Sequence, residues 1–385
     1  MELHYPIYKT NKTFKEIDRA FNKLKPIVKK ILYNIDFSIL KEHKLKSIDL
    51  FRLIKDINKK DCDLKGKQIM SIINKNTNED NIYDYFRFMS DFTPIHIFLD
   101  IIKNYTDYKK LCFEYNTNTI NLNIFSKTNI DYQTATIKAL KVLSVLEYCN
   151  IKNANINISY ALTNHKKELP EYKILGPASI NSGVTVHRFN GDIHITIYRQ
   201  EESDKVLLHE LIHYLKLDFA LCDNDFINNL ILDEFNIINN IKYINLFEAF
   251  TDSIAIIFNS ILNCILLNEN INNYFQMELN FIESQMNNIL NFFQFKSPTE
   301  LLDKSSNKLI NQNTSVLSYY ILKYFLIISS DLLLTEYFPK TYTDWTLDNI
   351  LNLYNLCKKN LFNYKTKSKK INNNSLCMSY NTIIY

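Results

Sequence analysis

Near the start of the chain, apolar residues recur at three- and four-residue spacing. Phe14, Ile17, Phe21 and Leu24 follow this spacing, and so do Ile27, Val28, Ile31 and Leu32 after Pro26. It is the spacing of amphipathic helices, and residues 1–115 read as a helical N-terminal region. The pattern then changes. Ile120, Leu122 and Ile124 alternate as in a strand, residues 132–149 predict an apolar helix, and Ile156, Ile158 and Tyr160 alternate again. Residues 182–199 predict a hairpin turning at Asn190-Gly191, a pair suited to the positive φ angles of a type I′ turn. With that turn, Arg188, Val186 and Val184 face Ile193, Ile195 and Ile197, while His187 pairs with His194 and Thr185 with Thr196. One face is then apolar except for Arg188, and the other is polar. From residue 203 onward, long helices dominate.

These patterns predict an α+β fold, predominantly helical, in four parts. They are a helical region 1–115, a mixed α/β sub-domain 116–215, a helical sub-domain 216–363 and a Lys/Asn-rich tail 364–385, of which about 364 to 376 reads as solvated or disordered. Three of the four glycines, Gly176, Gly183 and Gly191, cluster around the hairpin, which marks a place where the backbone has special demands.

Composition narrows the function classes. The net charge of +4 comes from 45 basic and 41 acidic residues, too even a balance to imply a nucleic-acid partner. Abundant Lys, Asn, Ile, Tyr and Phe beside scarce Gly and Pro is the bias of an AT-rich genome, so Lys/Asn-rich patches carry little functional weight. Seven cysteines without CxxC spacing, and a start lacking the pattern of a secretory signal, point to reduced thiols, a cytoplasmic protein and no export. Ser318 to Leu334 is interrupted by Lys323, Ser329, Ser330 and Asp331, and no membrane span is expected.

The sharpest chemistry lies just after the hairpin. Val206, Leu207, Leu208, Leu211, Ile212 and Leu215 make a helix apolar on most sides, with Ser203 and Asp204 able to cap it. Into it the sequence sets His209-Glu210-Leu211-Ile212-His213. Histidines at i and i+4 stack on one helix face and can reach one metal ion, with Glu210 beside it to take a proton from water. Burying these three polar side chains without a metal would be costly. A catalytic zinc needs a third protein ligand, and Glu248 is the candidate, on an apolar helix running to about Leu262. Asp252, four residues on, shares its face and could orient a ligating histidine. Asp218, Asp223 and Asp225 are alternative ligands. His187 and His194 are too few for a second metal site, and His43 and His96 stand alone.

HExxH followed by Glu-x-x-x-Asp on a second helix resembles the gluzincin metallopeptidases, of which thermolysin is a member. The string Glu248-Ala249-Phe250-Thr251-Asp252 is similar to their Asn-Glu-Ala-x-Ser/Thr-Asp segment. The resemblance covers two helices. It implies a zincin-like core with a small sheet beside the HExxH helix, Zn2+ held by His209, His213 and Glu248, Glu210 as general base and Asp252 supporting a ligand. The 35 residues from His213 to Glu248 exceed the thermolysin-like spacing. A metzincin would need Gly and His where Lys216 and Phe219 stand, and CAAX-type proteases have membrane spans that this chain lacks. The stretch from Ser182 through Glu202 also looks like metallopeptidases of large DNA viruses, which would place the enzyme in host cytoplasm or virion.

The expected partner is a peptide or protein substrate, paired along one strand of the hairpin. The oxyanion formed in hydrolysis needs a donor, and Tyr319 or Tyr320 could supply it. Two rival readings are a zinc hydrolase acting on a non-peptide substrate and a catalytically idle zinc-binding scaffold. An intact Glu210 argues against idleness.

Overall fold

The computed structural model describes residues 14–44, 88, 90, 92–127, 132–187, 193–238, 243–364 and 375–379. It is an α+β protein in which the described chain divides into two compact units. One takes the residues before 31, 167–180 and 211 onward; the other takes 31–166 and 181–210. The first helix, α1 (Lys15–Asn34), is crossed by this division and holds Pro26 in its interior. Its apolar row Phe14, Ile17, Leu24, Val28 and Ile31 is buried, as the spacing predicts.

The second unit is built on a six-stranded mixed sheet of order β1-β2-β3-β4-β6-β5. Its strands are β1 (Asp36–Lys44), β2 (Asp107–Tyr115), β3 (Asn118–Ser126), β4 (Asn155–Thr163), β5 (Gly183–His187) and β6 (Ile193–Arg199). The first three run antiparallel in sequence order, β4 lies parallel to both β3 and β6, and β5 runs antiparallel to β6 at one edge. The helix α3 (Tyr132–Tyr148), preceded in the chain by α2 (Ile95–Asn104), makes the crossover from β3 to β4 that a parallel pair requires.

Two expectations change here. Residues 1–115 are not wholly helical, since they contain β1 and β2, and a boundary at 115 would split β2 from β3, which pair along their whole length. The alternation that would betray β2 is lost because Leu111, Cys112 and Phe113 are consecutively buried.

The hairpin register also differs. Gly183, Val184, Thr185, Val186 and His187 pair with Ile197, Thr196, Ile195, His194 and Ile193, one residue away from the register that a two-residue Asn190-Gly191 turn imposes. Those turn residues lie outside the described ones. A one-residue slip exchanges faces. Thr185 joins the face of Ile195 and Ile197, while His194 joins Val186 on the other, buried and bonded to Ser159 at 2.8 Å. His187 and His194 are therefore not cross-strand neighbours. Gly183 is needed where β5 meets the next helix: a Cβ there would lie 2.7 Å from Val206 Cγ1 and 2.9 Å from Ile197 Cδ1.

β6 leads into α4 (Ser203–Tyr214), the helix of the HExxH motif. The side chains expected as caps bind α3 instead. Lys138 Nζ donates to Ser203 Oγ at 2.9 Å and to Asp204 Oδ1 at 2.5 Å, and Lys141 Nζ donates to Asp204 Oδ2 at 2.5 Å. Burial pushes the Asp204 carboxyl up, but the two ammonium groups outweigh it and hold the carboxyl well below the usual range.

The first unit is helical, with α5 (Asp225–Glu234), α6 (Leu246–Leu267), α7 (Ile271–Phe292), a π-helical turn Leu317–Leu322 continuing into α8 (Lys323–Ile327), and α9 (Leu347–Phe362). α6 is its core: every residue from Ala249 to Cys264 is buried. It is long and apolar enough to cross a membrane, yet 83% of its most apolar window lies inside the protein. Helices 317–327 and 330–337, also apolar, bend by 91° at the break between them.

Of the tail expected to be solvated, residues 365–374 lie outside the described ones. The stretch after them is packed: Leu376, Cys377, Met378 and Ser379 are buried. Ser375 bridges to Glu168, and Leu376 N donates to Lys167 O at 2.9 Å.

Candidate metal centre

His209, Glu210 and His213 all lie on α4. The division between units falls after Glu210, but the helix is continuous, so the two histidines sit one turn apart on one face. Glu248 stands in the first turn of α6, where the helix N-terminus favours a negative charge. His209, His213 and Glu248 each present a ligand atom, and these atoms all lie within 4.8 Å of one another, so the group could hold a metal ion. His213 Nε2 is 3.4 Å from Glu248 Oε2. Two ligand atoms on one tetrahedral ion with bonds near 2.0–2.1 Å would be about 3.3–3.4 Å apart. The spacing of the pair is compatible with two ligands of one ion.

The other nitrogen of His213 shows how the ring is oriented. Nδ1 lies 2.5 Å from Asp218 Oδ2, which also accepts from Thr251 Oγ1 at 2.9 Å, while Asp218 Oδ1 accepts from Ala220 N at 3.0 Å. A carboxylate on Nδ1–H turns Nε2 toward Glu248, the ring orientation that metal-ligating histidines commonly require. Burial pushes the His213 pKa down, but the Asp218 and Glu248 carboxylates outweigh it and raise it well above 6.5.

Asp218 reaches His213 because of how α4 ends. Lys216 has φ 55°, its N–H bonds His213 O at 3.0 Å, and Leu217 N–H bonds Ile212 O at 3.1 Å. This is a Schellman turn, with lysine in the left-handed position that glycine usually fills. It turns the chain back so that residue 218 faces the last turn of the helix. Asp218, one of the alternative ligands, is thus the partner of a histidine.

Asp252, expected to orient a ligand, is fully buried on α6 and paired with Lys323 of α8 at 2.9 Å. The same ammonium donates to Met378 O at 3.2 Å. The two tyrosines separate. Tyr319 donates to Glu248 Oε2 at 3.0 Å, the oxygen that faces His213. Tyr320 is buried and donates to Leu376 O at 2.5 Å. Adjacent residues of a helical turn project in different directions, and of this pair it is Tyr319 that comes to the ligand group.

Glu210, beside His209, is held from β5. Thr185 Oγ1 lies 2.8 Å from Glu210 Oε2 and 2.9 Å from Glu210 O. The partners that sequence reasoning missed are therefore Thr185, Thr251, Lys323 and the stretch 375–379, along with the role of Asp218. None lies at a fixed motif spacing from His209. The alternative ligand Asp225 opens α5, and Asp223 Oδ1 accepts its backbone N–H at 3.0 Å.

No protein-family model, no curated protein and no solved structure matches this chain.

Proposed function

We propose that this chain is a zinc-dependent peptidase of the gluzincin type with a zincin-like core. One observation carries the reading: His209, His213 and Glu248 converge within 4.8 Å, and His213 is turned toward Glu248 by Asp218. Two nitrogens and one carboxylate oxygen are the donor set of a catalytic zinc that keeps a fourth position open. Zinc held there would supply Lewis acidity and lower the pKa of water to near neutrality.

The chain's own groups do the rest. Glu210, next to His209, takes the proton of the attacking water and returns it to the leaving amine. Tyr319, whose hydroxyl donates to Glu248 Oε2, is the donor for the developing oxyanion once that one proton turns from the carboxylate to the substrate; Tyr320, buried and bonded to Leu376 O, is not. β5, at a sheet edge, offers main-chain pairing to an extended peptide.

The test uses purified full-length chain, zinc analysis and a peptide-library digest. The wild type should hold one zinc and cleave; Glu210→Gln should keep the zinc and lose at least about 100-fold in turnover. Glu248→Ala should lose the zinc. Zinc retained with no cleavage sensitive to the Glu210 substitution would instead support a scaffold or a non-peptide substrate.

A further inference from the structure

β5 reaches Glu210 through the side chain of Thr185. Thr185 places one hydroxyl 2.8 Å from Glu210 Oε2 and 2.9 Å from Glu210 O. A threonine hydroxyl has one proton and two lone pairs, and both neighbouring oxygens accept. Donation to the carboxylate is charge-assisted and is the stronger choice while Glu210 is ionised. The helix carbonyl is the second acceptor, which keeps the hydroxyl on one side of the glutamate.

The contact depends on the strand register. Thr185 opposes Ile195 on the face of β5 and β6 that meets α4, as the approach of Gly183 to Val206 shows. A slip by one residue would turn the hydroxyl to the opposite face. Thr185 is β-branched, so few rotamers are open to it on a strand, and its backbone is tied into the ladder with β6. A stiff side chain on a fixed strand thus holds one oxygen of a longer, more flexible glutamate.

We infer that Thr185 is a positioning residue for Glu210, fixing the carboxylate from the strand along which an extended peptide substrate pairs. The inference rests on the proposed peptidase reading. It adds that substrate backbone and general base are registered by the same strand: a peptide paired to β5 has its scissile bond set at a fixed offset from Thr185 and hence from Glu210. Docking errors of one residue along β5 are therefore read out as misalignment with the base. That makes the strand a determinant of which bond is cut, beyond its contribution to affinity.

The test compares Thr185→Val, which keeps the shape and removes the hydroxyl, with Thr185→Ser, which keeps the hydroxyl. Removing a hydrogen bond to a charged group should lower kcat roughly 10- to 100-fold in Thr185→Val with KM within about twofold, and Thr185→Ser should recover most of the rate. A readout independent of turnover is the 13C carboxyl resonance of Glu210 in Glu-labelled protein, identified by its absence in Glu210→Gln. It should move in Thr185→Val and return toward the wild-type position in Thr185→Ser. An unmoved resonance, or an equal loss of rate in both variants, overturns the inference. If Glu210→Gln cleaves normally, the peptidase reading itself falls, while the resonance still decides whether Thr185 holds the carboxylate.

Discussion

His213 has Asp218 at one ring nitrogen and Glu248 at the other. These carboxylates raise its pKa well above 6.5. A raised histidine pKa stabilises the fold fully below the unfolded value near 6.5, and that contribution is lost as pH rises through the folded value. A metal ion held there would take the place of a proton on Nε2, so metal uptake near neutral pH should release a proton from this residue, and affinity should weaken as pH falls. Calorimetry in two buffers of different ionisation enthalpy measures the release; none at pH 7 would mean that His213 is already neutral. At this scale the ligand helix was legible because i and i+4 on a helix is a fixed geometry. Asp218 and Thr185 were not, because one depends on a lysine adopting φ 55° and the other on the register of a hairpin whose turn signal implies a different pairing.

Elements are tied to one another by buried charges as well as by apolar faces. Asp204, at the start of α4, is held by Lys138 and Lys141 of α3, and both lysine side chains are almost wholly buried. A depressed carboxylate contributes stability above its unfolded pKa of about 3.9, and this is lost as pH falls through the folded value. Asp204→Asn would leave two buried ammonium groups without their anion and should destabilise the protein at pH 7 by about 3–5 kcal/mol. Urea unfolding from pH 7 downward checks this: the gap between wild type and variant should stay open to about pH 4 and narrow only below it. The periodicities of β3, α3 and β4 showed through because each has one clear apolar pattern. β2 did not, being buried on both faces at its centre, and β1 did not, with a bulge between Ile39 and Lys41 that interrupts its pairing.

For the whole molecule, the described chain divides into two units, each assembled from segments far apart in sequence. Such long-range pairing leaves no local trace, and the stretch at 375–379 is the clearest case. Leu376 and Met378 are buried, and their carbonyls take the Tyr320 hydroxyl and the Lys323 ammonium that also binds Asp252. A chain stopped after residue 374 would leave these two buried donors short of partners and expose apolar surface. It should lose roughly 3 kcal/mol or more, visible as a lowered thermal midpoint. Read in time rather than in space, the same contact orders the protein's birth. Met378 is made 165 residues after His213. At roughly 5–20 residues per second, that leaves the histidine helix emerging some ten to thirty seconds before Lys323 can gain its last partner. A nascent chain therefore carries His209 and His213 well before the Asp252–Lys323–Met378 network can be complete, so that network forms only after residue 378 has cleared the ribosome.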